Sequence, residues 1–354
     1  MPIELEYIPP NEPLPDELDG RKLRRRALRV IALLIVVGLA ALFAPGLGSV
    51  RRHLEDARPE WLALAVLLEL LSCLSYVLMF KPVFCRRMTW RSSYELGMSE
   101  LAVGSIVPAS GAGGLALGAW ALRKGGMPAD EIARRSVAFF IIKSSVNFVA
   151  VVIVGVVMFA GVGPDVSVLL TLLPAGLALL VLAAVPALGA IASDRPIGER
   201  GVRRWVGLAV RALGDGVREA GRIVRRHDWR VIAGATGYWA FDNAVVWACF
   251  KAFGFSPAIT LVLMGYLIGQ LGGLLPIPGG VGGIDGGLIG TMIVYGLPAA
   301  VTAAAVLAYR VILFWLPLIL GGAAFASLRK GLEDPSRPDL CDPLRRPIAH
   351  PTAA

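Results

Sequence analysis

Charge is scarce in this chain, and the scarcity excludes most water-soluble folds. Only 17% of its 354 residues are Asp, Glu, Lys or Arg, while 56% are hydrophobic. Soluble domains average about 25% and about 45–50%. A soluble core of that size could not be covered by the polar residues available. Histidine is nearly absent: His53, His227 and His350 lie far apart with no metal-ligand spacing, so no metal site is expected. The four cysteines, Cys73, Cys85, Cys249 and Cys341, form no CxxC pair and read as inert core residues. The GxxxxGK(S/T) phosphate loop, the GxSxG elbow and the HExxH helix are missing as well. Without a matched nucleophile and base, neither an enzymatic reaction nor a cofactor is expected.

What the chain does have is a series of apolar blocks near the roughly 20 residues that span a bilayer. Six full spans are expected, at about 27–44, 61–80, 136–162, 166–192, 231–253 and 299–327. Two other stretches are interrupted. Pieces at about 94–107 and 109–122 meet at Pro108-Ala109-Ser110-Gly111, and pieces at about 258–275 and 284–296 meet at Pro276-Ile277-Pro278-Gly279-Gly280-Val281-Gly282. A helix of about 14 residues reaches roughly 21 Å, short of the roughly 30 Å hydrocarbon core. Residues 1–26 and 328–354 read as polar tails around a transmembrane domain at 27–327. The acidic, proline-rich stretch before the basic cluster at Arg21–Arg29 suits a cytoplasmic tail with no cleavable signal.

The formal net charge is +9. On a soluble protein it would suggest nucleic acid; here the cations sit between apolar blocks, and no nucleic-acid partner is expected. With a cytoplasmic N-terminus and both interrupted pairs re-entrant, 28 of the 35 lysines and arginines fall in cytoplasmic segments. Only Arg51, Arg52 and Arg58 fall outside, and Arg29, Lys143, Lys251 and Arg310 lie within spans. Cytoplasmic loops carry such an excess. If either pair crossed once, later basic loops would move outside. The distribution therefore predicts an all-α polytopic protein of the cytoplasmic membrane with about six full spans, two re-entrant hairpins and both termini cytoplasmic. Lys143 follows Pro108 by 35 residues and Arg310 follows Pro276 by 34. Each sits on the long span after its hairpin, an order that predicts inverted repeats, a recurrent transporter architecture.

Non-helical backbone at membrane depth needs burial in protein or a wet cavity, and half-helix N-termini there suit an anion. Ser110, Gly111, Pro278, Gly279, Gly280 and Gly282 are thus candidate substrate-binding positions; the alternative is a turn at a membrane surface. Ionisable residues in spans are costly, which singles out Glu69, Glu100, Lys143, Asp242, Asp285 and Arg310. Arg310 is too deep to snorkel and either meets substrate or pairs with Asp285 or Asp242. Lys143 either lines the site or snorkels to the cytoplasmic face. Asn147, Asn243 and Gln270 either line the cavity with Asp242 or bind helices together. Gly286, Gly287 and Gly290 read as packing residues. Within the cytoplasmic segment 193–230, Val202, Val206, Val210, Leu213, Val217, Ala220 and Val224 recur at helical steps among arginines. That is an amphipathic basic helix for anionic headgroups, or a plain positive-inside anchor.

Pro276-x-Pro278-Gly279-Gly280-Val281-Gly282-x-x-Asp285, with Tyr309-Arg310 and then Trp315, resembles the transmembrane, flippase-like domain of the lysylphosphatidylglycerol synthase family, whose pattern is P-x-P-G-G-x-G-x-R-E and then Y-R-x-x-x-x-W. Ile284 and Asp285 stand where the family has arginine and glutamate, and Leu115 lies where an acid follows its first glycine-rich turn. The resemblance covers roughly 25–330. It implies a lipid flippase without the family's soluble aminoacyl-transfer domain, with an anionic or aminoacylated headgroup held between the hairpins and Trp315 lining the cavity. Membrane lipids are the expected partners. The alternative is a non-transporting subunit that docks a membrane-associated lipid or glycan biosynthetic enzyme.

Overall fold

A computed structural model describes residues 22, 24, 25, 27–29, 31, 32, 56–106, 112–193, 202–270, 283–333, 340 and 341. Ten helices are bounded among them: α1 Pro59–Phe84, α2 Trp90–Ile106, α3 Ala112–Lys124, α4 Ala129–Phe159, α5 Val168–Ser193, α6 Val202–Arg225, α7 Trp229–Ala252, α8 Ile259–Gly269, α9 Gly283–Val294 and α10 Ala299–Glu333. No strand occurs among the described residues. Among the described residues, four segments are long and apolar enough to cross a membrane: Pro59–Phe84, Ala129–Phe159, Val168–Ala187 and Ala299–Leu332. With the many exposed large side chains on them, such as Ile153, Leu180 and Ile319, this is a polytopic membrane protein. Helix α7 has 24 residues, long enough to span at 1.5 Å per residue, but it carries Arg230, Asp242 and Lys251. The expected first span lies outside the described residues beyond Ala32.

Helix bounds follow local chemistry more than hydropathy. Helix α4 starts seven residues before its expected apolar run because Pro128, extended at its N-cap, presets the first turn. That turn is held by Arg135 on Glu131 at 2.5 Å. Helix α6 runs unbroken through Gly207, Gly214, Gly216 and Gly221, residues that are weak helix formers. At Gly216 a Cβ would strike Val137 of α4, and at Gly189 of α5 it would meet Val217 at 2.9 Å. Here the small residues let α6 lie close on α4 and α5.

Eight of the ten helices fall into two quartets, each with two short helices between two long ones. Helices α1 to α4 start at 59, 90, 112 and 129, and α7 to α10 at 229, 259, 283 and 299, offsets of 170, 169, 171 and 170 residues. The turn before each long helix repeats in detail. Gly126 and Gly296 have φ of 91° and 90°, the left-handed conformation that glycine adopts freely. Met127 N–H donates to Leu122 O and Leu297 N–H to Met292 O, both at 3.0 Å, closing helix ends of the Schellman type. Pro128 and Pro298 then begin the next helix.

Each pair of short helices is tightly apposed. A Cβ on Gly114 of α3 would collide with the Glu100 carbonyl of α2, and one on Gly287 of α9 would meet the Gly269 carbonyl of α8 at 2.6 Å. At Gly286 and Gly290 an added Cβ would meet nothing within 4 Å among the described residues, so among those residues the expected packing role is visible at Gly287 alone. Between the quartets, α1 crosses α7 at Gly234, where a Cβ would meet the Ser75 carbonyl at 2.7 Å. The cysteine reading needs one correction. Cys73 and Cys249 are buried and free, but Cys85 is disulfide-bonded to Cys341, with Cα atoms 5.1 Å apart. Leu340, itself buried, brings Cys341 there by packing over Gly125.

Candidate functional site

The buried ionisable residues of the spans lie along one polar track through the bundle. In the first quartet, Tyr76 of α1 donates its hydroxyl to Glu100 Oε2 of α2 at 2.8 Å. Lys143 of α4 places its ammonium 5.8 Å from the Tyr76 ring and 5.7 Å from the Tyr238 ring of α7. Glu100 is within coulombic range of it. The cation is therefore held by two aromatic faces and one carboxylate, with no ion pair within 4 Å among the described residues. Cation–π contacts of this kind strengthen when water is excluded.

Tyr238 joins this end to the next, because its hydroxyl group lies within coulombic range of Asp242 and Glu69. Asp242 of α7 accepts from Tyr309 of α10 at 3.1 Å through Oδ1 and from Tyr266 of α8 through Oδ2. Glu69 of α1 takes the Cys73 thiol at 3.6 Å on Oε1. Its Oε2 is buried without a hydrogen-bond partner among the described residues. At the far end Arg310 Nε of α10 donates to Asp285 Oδ1 of α9 at 2.5 Å. Arg310 is also within coulombic range of Asp242, so one guanidinium serves two carboxylates. Charges this deep persist only when paired and hydrogen-bonded.

The structure thus brings Lys143, Asp242, Asp285 and Arg310 onto one track. Asn243 is buried beside Asp242 on α7 and gives its amide to the Trp239 carbonyl at 2.8 Å. Asn147 is half-buried one turn beyond Lys143, and Gln270 caps the end of α8. Trp315 sits elsewhere, 5.8 Å from Phe314 in a small cluster with Leu318 and Ile31. Ser110, Gly111, Pro278, Gly279, Gly280 and Gly282 lie outside the described residues. No cluster of three metal-ligating side chains occurs among the described residues.

The profile of the lysylphosphatidylglycerol synthase TM region matches residues 29–321, which take in the whole track. The chain belongs to this family. It is similar to two UPF0104 membrane proteins of Methanothermobacter thermautotrophicus, 26% identical over 327 residues and 28% over 339. These matches cover 83% and 84% of this chain and 94% and 92% of the relatives. A further UPF0104 membrane protein of that organism is 31% identical over 94 residues, 26% of this chain and 28% of its own.

Within this lysylphosphatidylglycerol synthase TM region, the track holds four tyrosines, Tyr76, Tyr238, Tyr266 and Tyr309, of which the sequence singles out only Tyr309, through the Tyr309-Arg310 motif. They supply the hydroxyls and ring faces that make the charges tolerable. The available signal was weak: two acid–tyrosine hydrogen bonds span 24 residues each, Tyr76 to Glu100 and Asp242 to Tyr266, linking the first helix of a quartet to its second. The acid sits on the second helix in one quartet and on the first in the other, so no common motif marks them.

Proposed function

We propose that this protein is a lipid flippase of the cytoplasmic membrane. It binds an anionic or aminoacylated phospholipid headgroup between two re-entrant hairpins, α2–α3 and α8–α9, that enter from opposite faces as parts of inverted repeats. Both tails, 1–26 and 328–354, are cytoplasmic in this reading, and about six helices cross fully. The observation that carries it is the recurrence, in two quartets offset by about 170 residues, of a close helical hairpin followed by a long helix bearing one deep cation. Lys143 and Arg310 neutralise the phosphate. Backbone N–H groups near Gly111 and Gly280 hydrogen-bond it, in keeping with helix N-termini as anion sites. Asp285 competes with the phosphate for Arg310 or takes a cationic headgroup. Rocking of one quartet against the other supplies alternating access.

Movement of fluorescently labelled phosphatidylglycerol between leaflets of proteoliposomes tests the reading. Lys143→Ala and Arg310→Ala should each slow it at least tenfold, with melting curves separating lost transport from lost fold. Wild-type rates in both folded variants would overturn it. The exposed arginines of α6 support a second reading, a non-transporting subunit that docks a membrane-associated biosynthetic enzyme there. It predicts a stoichiometric partner that is lost when 200–227 is deleted.

A further inference from the structure

A large groove lies away from the track's charged residues. Helices α4, α5, α6 and α7 enclose a groove of about 1120 Å³, larger than ordinary small-molecule pockets of about 300–1,000 Å³. Its α4 wall runs from Phe140 to Val154, about 20 Å at 1.5 Å per residue. That exceeds the roughly 15 Å depth of one leaflet's share of the hydrocarbon core. The wall is apolar and open: Phe140 is 52% exposed and Ile153 56%. The α6 side is different. Arg218, Arg222 and Arg225 recur at helical spacing along it, and such spacing puts them on one face.

Two of these arginines are oriented by acids of their own helix, Arg218 by Asp215 at 2.5 Å and Arg222 by Glu219 at 2.8 Å. A guanidinium has five donors, so each keeps some for another anion. Arg225 is exposed and makes no ion pair among the described residues. Between the arginines lies Gly221, where an added Cβ would meet nothing within 4 Å. The floor of the groove is open at the point where a headgroup would pass beneath them. An amphipathic helix with this composition rests at headgroup depth, which sets the arginines at phosphate level and the apolar wall among acyl chains.

The geometry points to a groove that holds one anionic diacyl phospholipid, acyl chains against α4 and α7 and phosphate on Arg218, Arg222 and Arg225. It shares none of the track's charged residues and does not depend on the flippase reading. The test uses the full chain in phosphatidylcholine nanodiscs with a phosphatidylglycerol probe carrying a photoreactive acyl chain, and maps the labelled peptides. Label should fall on 140–154 and 231–239. Excess unlabelled phosphatidylglycerol should displace it and phosphatidylcholine should not. Arg225→Gln, which orphans no carboxylate, should weaken displacement by phosphatidylglycerol about fivefold. Gly221→Phe should abolish the label without lowering the melting temperature, because its Cβ enters open space and glycine is the weaker helix former. Equal displacement by both lipids, unchanged label in folded Gly221→Phe, or a co-purifying polypeptide cross-linked in the groove would each overturn the proposal.

Discussion

The two quartets share an architecture but fix their central cation by different means. Lys143 lies between two tyrosine rings, 5.8 and 5.7 Å away, near a glutamate already engaged by Tyr76. Arg310 is clamped onto Asp285 at 2.5 Å. A lysine ammonium is a point charge on a flexible stem, whereas a guanidinium is a planar fork that fits a carboxylate in few orientations. The first quartet therefore holds its cation through ring faces that fix no single hydrogen-bond geometry, and the second holds its cation through a direct ion pair. One repeated frame holds a π-bound charge at one end of the track and an ion-paired charge at the other.

The largest expected effect would break this contrast most directly. Arg310→Met breaks the Asp285 ion pair and removes the cation facing Asp242, and loss of one member of a buried pair costs about 3–5 kcal/mol. Lys143→Met forfeits two ring contacts but leaves Glu100 bonded to Tyr76, at about 1–2 kcal/mol. Denaturant unfolding in detergent micelles should rank them in that order. Equal losses would mean that Lys143 is as firmly anchored as Arg310.

The tyrosines should rank the other way. Tyr76→Phe removes the one hydrogen bond that the Glu100 carboxylate accepts among the described residues, and bonds to charged groups are worth about 1.5–3 kcal/mol. Tyr309→Phe leaves Asp242 bonded to Tyr266 and near Arg310, so its cost should sit at or below the bottom of that range. The same unfolding measurements decide it. A costlier Tyr309→Phe would mean that the ring pair of Tyr266 and Tyr309, 6.4 Å apart, acts as a unit.

Much of this arrangement was legible in the sequence because charges in apolar runs are conspicuous. Lys143, Asp242, Asp285 and Arg310 stood out on that ground, and all lie on the track. The order of short and long helices was visible because glycine and proline punctuate it. The polar start of α4 was missed, since its turn is built from Asp130, Glu131, Arg134 and Arg135 and has no hydropathy signal. Tyrosine is at home in an apolar helix, so hydropathy does not separate Tyr76, Tyr238 and Tyr266 on the track from Tyr295, whose hydroxyl reaches the Leu170 carbonyl at 2.6 Å. The Cys85–Cys341 pairing joins residues 256 apart, a closure set by the docking of Leu340 and by no sequence pattern. The spacing of Gly286, Gly287 and Gly290 likewise does not say which of them faces a neighbour.

The smallest effects come from those glycines and sharpen the likeness of the two quartets. Gly114→Ala drives a methyl into the Glu100 carbonyl, and Gly287→Ala drives one towards the Gly269 carbonyl. Backbone cannot turn aside as a side chain can, so α3 must shift from α2, and α9 from α8. Overpacking of this kind costs about 1–3 kcal/mol. In Gly114→Ala it should also loosen the Tyr76–Glu100 bond, making that variant partly non-additive with Tyr76→Phe. Gly290→Ala is the control on the same helix as Gly287. Its methyl meets open space, and replacing a helical glycine by alanine stabilises by about 0.4–1 kcal/mol. Thermal melting of the three variants should give two losses and one small gain. A loss at Gly290 would mean that this face of α9 is covered, as by a second copy of the chain.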